Sequence, residues 1–111
     1  MLRILPDGTI KLTRGDTARL SVSIANDITG SEYVLSEKDE LYLTVKKTVN
    51  GGKSIFQKKL IGQNVFRIEP EDTSNASFGR YRYDIQLNTE TGDVYTIIED
   101  SCFEIMPEVT C

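Results

Sequence analysis

Side chains that change sides at every residue dominate this chain, and that period restricts which backbone can bury them. From Arg80 to Leu87, the residues Tyr81, Tyr83, Ile85 and Leu87 alternate with Arg80, Arg82, Asp84 and Gln86. A period of two fits the pleat of a β-strand, whereas on a helix it would scatter the apolar groups round the cylinder. One face of this segment is expected in a core and the other at the surface. Fully buried, each apolar side chain contributes roughly 1.5–3 kcal/mol, enough to make the strand central and to penalise a slip of register. Thr17 to Asn26 repeats the pattern, with Ala18, Leu20, Val22 and Ile24 on one side and Thr17, Arg19, Ser21 and Ser23 on the other. Glu40 to Lys47 does so again, with Leu41, Leu43 and Val45 inward and Tyr42, Thr44 and Lys46 outward.

Weaker strand signals fall at Thr9 to Thr13, Ser54 to Ile61, Asn64 to Glu69, Asp93 to Ile98 and Cys102 to Met106. Between them stand Asp7-Gly8, Arg14-Gly15-Asp16, Asn50-Gly51-Gly52, Gly62-Gln63-Asn64 and Thr91-Gly92-Asp93. These residues tolerate positive φ or close Asx-turns, so most neighbouring strands are expected to be hairpin-linked and antiparallel. Pro70 to Ala76 holds the one helical signal, a proline in the first turn followed by Glu71 and Asp72, which suit the helix dipole. It reads as a crossover between sheets. Short strands, glycine-bearing turns and no amphipathic helix point to an all-β sandwich or barrel. A chain of 111 residues suits a single domain spanning 1–111, since two half-sized cores would be marginal.

Composition narrows the function classes. Hydrophobic residues make up 39% and charged residues 27%, as in an average globular domain and unlike a disordered chain. No apolar run approaches the roughly 20 residues of a membrane-spanning helix. At the N-terminus Met1 to Leu5 is cut short by Pro6-Asp7-Gly8, so no secretory leader is expected there. With 17 acids against 13 bases, and basic pairs only at Lys46-Lys47 and Lys58-Lys59, the chain lacks the positive footprint that a phosphate backbone demands. Neither nucleic acid nor an anionic membrane is an expected partner.

No histidine occurs. That removes the usual neutral-pH general base and the commonest metal ligand, and with them serine-histidine, cysteine-histidine and zinc-histidine sites. Glu69, Glu71 and Asp72 cluster beside Pro70. As a catalytic pair they would need a cleft that holds two carboxyls at a set separation, and acids capping a turn are the expected alternative. Glu37-Lys38-Asp39-Glu40 lacks the spacing and central glycine of a calcium loop and reads as a solvated loop. Gly51-Gly52-Lys53 lacks the spacing and the following helix of a phosphate-binding loop. Catalytic, cofactor-binding and metal-binding residues are all expected to be none.

Arg14-Gly15-Asp16 spells a tripeptide read by cell-adhesion receptors, at a place where a tight turn is needed anyway. Asn75-Ala76-Ser77 matches a glycosylation acceptor. Tyr42 and Tyr95 are outward tyrosines, a residue type favoured both in strands and at interface centres. Cys102 and Cys111 would close only a short loop and read as reduced thiols.

Phe78-Gly79-Arg80-Tyr81-Arg82-Tyr83 is similar to the tyrosine corner that leads into strand F of immunoglobulin-like domains, with Tyr83 where antibody domains carry their second cysteine. A more specific likeness covers most of the chain. Arg14-Gly15-Asp16-Thr17, Leu43-Thr44-Val45-Lys46-Lys47, Glu69-Pro70-Glu71-Asp72-Thr73, the run from Gly79 to Leu87, Gly92 to Ile97 and Phe103 to Thr110, in this order, resemble the immunoglobulin-like module of phage and prophage tail or baseplate proteins. Tyr33-Val34-Leu35-Ser36 stands where members often carry Asp-Leu-Thr-Gly.

The resemblance implies an immunoglobulin-like antiparallel β-sandwich of about seven or eight strands. It also implies a non-enzymatic assembly module like the N-terminal domain of upper baseplate proteins. Other tail or baseplate proteins would be its partners, homo-oligomerisation staying open, and it would be made in the bacterial host cytoplasm and reside in the virion. The alternative is an extracellular adhesion or glycan-binding immunoglobulin-like domain.

Overall fold

The computed structural model describes residues 2–4, 8–25, 30–47 and 54–107, and its elements follow the alternation. In chain order they are β1 (Leu2–Ile4), β2 (Ile10–Thr13), β3 (Ala18–Ser21), β4 (Glu40–Lys46), β5 (Ser54–Ile61) and β6 (Val65–Ile68), then the short helix α1 (Pro70–Thr73), then β7 (Gly79–Asn88) and β8 (Val94–Met106). The protein is all-β. The expected turn at Asn50-Gly51-Gly52 and the rejected phosphate-loop candidate Gly51-Gly52-Lys53, together with Asp7, Asn26 and Cys111, lie outside the described residues.

Two sheets form among the described residues, one in the order β1-β2-β8-β7-β4-β5 and one pairing β3 with β6. The larger sheet is mixed, where an antiparallel sandwich is expected: β2 runs parallel to β8, from Ile10 opposite Phe103 to Thr13 opposite Met106. Hairpin logic misses this pair because a parallel pairing needs a long connection, and here nearly the whole chain lies between the two strands. The remaining pairs, β1–β2, β4–β5, β4–β7, β7–β8 and β3–β6, are antiparallel.

Both sheets turn their apolar faces into one core. Leu41, Leu43 and Val45 of β4 meet Tyr81, Tyr83, Ile85 and Leu87 of β7, with Ile10, Leu12, Phe103 and Ile105 beside them and Ala18, Leu20, Phe66 and Ile68 supplied by the smaller sheet. Phe103 packs edge-to-face against Phe56 and Tyr83, with centroids 5.9 and 6.1 Å apart, the offset geometry that aromatic quadrupoles favour.

Three of the expected segments differ from the sequence reading by more than one residue at an end. The segments Asp93–Ile98 and Cys102–Met106 form one strand, β8. Relative to β7, β8 carries two extra residues, one between Ile98 and Ser101 and one between Thr96 and Ile98. These bulges reset the alternation and let one strand cross a stretch where the apolar pattern fails. The strand expected to run to Asn26 ends at Ser21 because its partner β6 starts at Val65. Beyond that point Val22 N–H donates to Asn64 O at 2.8 Å, and the Asn64 side chain donates to Val22 O at 3.0 Å. The helical signal shrinks to Pro70–Thr73, with Glu69 as N-cap and its N–H donating to Asp72 Oδ2 at 2.7 Å, the reciprocal bonding of a capping box.

Candidate functional site

Asp39 shows where the strand ends converge. The sequence of the loop leading into β4 reads as solvated, yet Asp39 is only 1% exposed. A buried carboxylate needs donors, and it receives three: Tyr33 OH at 2.7 Å and Ser36 N–H at 3.0 Å on Oδ2, and Glu90 N–H at 3.0 Å on Oδ1. Its own carbonyl accepts from Gly62 N–H at 2.8 Å. One residue thus ties the 33–36 segment, the β5–β6 turn and the β7–β8 turn together. The Tyr33 hydrogen bond, helped by the backbone donors of Ser36 and Glu90, holds the Asp39 carboxyl below its ordinary 3.8 although burial acts the other way. The same bond, with burial and the Asp39 and Glu90 charges adding to it, pushes the Tyr33 phenol up to about 12.

The signal for this node lay in Ser36-Glu37-Lys38-Asp39, a serine three residues ahead of an acid just before an apolar run. The reciprocal bonds Ser36 N–H to Asp39 Oδ2 and Asp39 N–H to Ser36 O use that spacing. What remained illegible was that Glu90, 51 positions away, completes the set.

Beside the node lies a groove of about 260 Å³ whose lining includes Val22, Ile24, Glu32, Tyr33, Val34 and Leu35. Two of its lining residues, Tyr33 and Val34, are exposed large apolar side chains. Val34 is 81% exposed, while Ile61, Val94 and Tyr95 are exposed at an end of the larger sheet and Val65 at an end of the smaller one. Tyr33 OH and Glu90 N–H both bond the Asp39 carboxylate, which sets the β7–β8 turn close to Tyr33. The remaining exposed large apolar residue among those described, Phe78, is capped by the Arg14 guanidinium, 4.2 Å above its ring centroid.

Other residues singled out in the sequence are engaged elsewhere. Asp72 pairs with Lys58 at 2.7 Å and caps α1, Glu69 pairs with Arg67, and Glu71 is exposed. Glu69 and Asp72 meet in the cap, whereas the Glu71 side chain faces solvent. In Arg14-Gly15-Asp16, Gly15 N–H donates to Thr73 Oγ1 at 2.9 Å, and Arg14 reaches Ala76 O at 3.5 Å besides stacking on Phe78. Tyr95 is 53% exposed as expected. Tyr42 is half-buried, donates to Glu40 at 3.3 Å and lies under Lys59, which pairs with Glu40 at 2.9 Å. Asn75 is exposed, while the Ser77 carbonyl accepts the Tyr81 hydroxyl. Cys102 is a half-buried free thiol, and its suggested mate Cys111 lies outside the described residues.

Among the described residues, no group of three or more Cys, Asp or Glu side chains is placed to hold a metal ion, and no helix is long and apolar enough to cross a membrane. Comparison with family models, with curated proteins and with solved structures gave no match.

Proposed function

We propose that this chain is an immunoglobulin-like, non-enzymatic assembly domain of a phage or prophage tail or baseplate, holding neighbouring virion proteins in place. The fold part of this reading draws support from strand neighbours. Immunoglobulin-like sandwiches keep strands C, F and G together and put B and E in the other sheet. Here β4, β7 and β8 adjoin in one sheet while β3 and β6 form the other. The Tyr81 hydroxyl donates to Ser77 O, four residues upstream, at 2.8 Å, the bond of a tyrosine corner.

The observation that carries the binding role is the groove at one end of the domain, where Tyr33 and Val34 stand exposed beside Ile24 and Leu35. Side chains of this kind left together in water mark contact surfaces, and tyrosine is enriched at interface centres. The tail assignment itself rests on the ordered phrases that resemble baseplate modules. On this reading the protein is made in the bacterial host cytoplasm and resides in the virion. The alternative, an extracellular adhesion or glycan-binding domain, draws on Arg14-Gly15-Asp16, and the internal contacts of Arg14 and Gly15 weigh against it.

Light scattering of the purified protein mixed with the products of adjacent tail genes tests the reading. A complex heavier than either component is expected. A chain that stays monomeric beside all of them ends the tail proposal.

A further inference from the structure

We infer that the groove end of the domain docks a protein segment bearing apolar side chains flanked by lysine or arginine, an inference that rests on the binding role proposed above. Two independent features of this end define the occupant. The first is its apolar content: Val34 stands 81% exposed at the groove, whose lining adds Tyr33, Ile24 and Leu35. Burying such groups supplies the non-directional part of an interface.

The second is charge. Glu32 lines the groove, Glu37 packs its backbone against Gly62, and Glu90 and Asp93 sit in the β7–β8 turn, all four exposed, against Lys38. The negative Asp39 lies buried beneath them. Glu40, the next acid along, is already neutralised by Lys59. This end therefore presents apolar groups inside a negative rim, and the complementary surface is apolar inside a positive one.

A second copy of this chain fits badly. An isologous contact brings each patch against itself, so Glu32, Glu37, Glu90 and Asp93 would face their own like charges. Like-charge juxtaposition across an interface suppresses such pairing.

The node beneath the surface gives it rigidity. Tyr33 is held by Asp39, and the turn that carries Glu90 is bonded to the same carboxylate. Side chains held in place before binding lose less freedom on association.

A random twelve-residue peptide library selected against the immobilised full chain tests the inference. Selected peptides should be enriched in apolar residues flanked by lysine or arginine. Binding of a synthesised winner should fall at least tenfold in Val34→Glu and in Glu32→Lys, and stay unchanged in Thr17→Glu, a substitution at an exposed site on another loop. Circular dichroism keeps these surface variants interpretable by checking that they stay folded. Acidic winners, no winners, or winners that bind Val34→Glu undiminished would overturn the inference, as would a dimer of the chain that Val34→Glu disrupts. A tail-protein complex that forms equally well with Val34→Glu sinks the surface and leaves the assembly role standing. Peptide binding at this end without any tail-protein complex does the reverse.

Discussion

The phenol of Tyr33 donates a 2.7 Å hydrogen bond to Asp39, a carboxylate almost wholly removed from water, although Tyr33 itself is 36% exposed. A surface residue thus satisfies a buried charge, and the two ionisations are coupled in opposite directions: the acid is made stronger and the phenol weaker.

That coupling predicts stability lost at both ends of the pH scale. The folded Asp39 pKa lies below its unfolded value of 3.8, so its contribution is complete above that value and disappears as pH falls through the folded one. The folded Tyr33 pKa is raised from 10.0 to about 12, so its contribution is complete below pH 10 and disappears as pH rises towards 12. Urea unfolding across the pH range should show both slopes, and Tyr33→Phe should flatten the alkaline one. Asp39→Ala, which strands the Ser36, Glu90 and Tyr33 donors, should cost about 3 kcal/mol near neutral pH.

Gly62 should resist substitution more than Gly92. Both have positive φ, +67° and +92°, where an L side chain costs roughly 1–2 kcal/mol. At Gly62 an added Cβ would also lie 2.9 Å from Glu37 O and 3.0 Å from Glu37 Cα, whereas at Gly92 it would meet nothing within 4 Å. Thermal melts should place Gly62→Ala clearly below Gly92→Ala. Equal midpoints would show that the 36–39 segment can move away from the β5–β6 turn.

Removing only the hydroxyl of Tyr81 leaves the buried ring in place and unpairs the Ser77 carbonyl. Tyr81→Phe should therefore cost about 1 kcal/mol in denaturant unfolding, with an unchanged denaturant slope.

Lys58 reaches from β5 at the edge of the larger sheet to Asp72 in α1, joining the crossover to that sheet. Both side chains are shielded enough for the pair to matter, at 25% and 13% exposure. A double-mutant cycle with Lys58→Met and Asp72→Asn should return a coupling of about 1 kcal/mol. A coupling near zero would leave capping of α1 as the whole role of Asp72.

The alternation by itself determined which residues enter the core. Leu41, Leu43, Val45, Tyr81, Tyr83, Ile85 and Leu87 are buried as their period demands, because a pleated strand with one wet face admits only one assignment of sides. The glycine turns at Gly15, Gly62 and Gly92 were equally legible, since each adopts the positive φ that glycine permits. What tertiary structure alone decided were the contacts between distant segments: the parallel pairing of β2 with β8, the bulges that fuse two expected strands into one, and the burial of Asp39. Local propensity carries no record of these, because each depends on which backbone groups arrive opposite one another after the chain has closed. The Ser36-to-Asp39 spacing marks the local half of that node, but Asp39 is buried only once Glu90 and Tyr33 are folded against it.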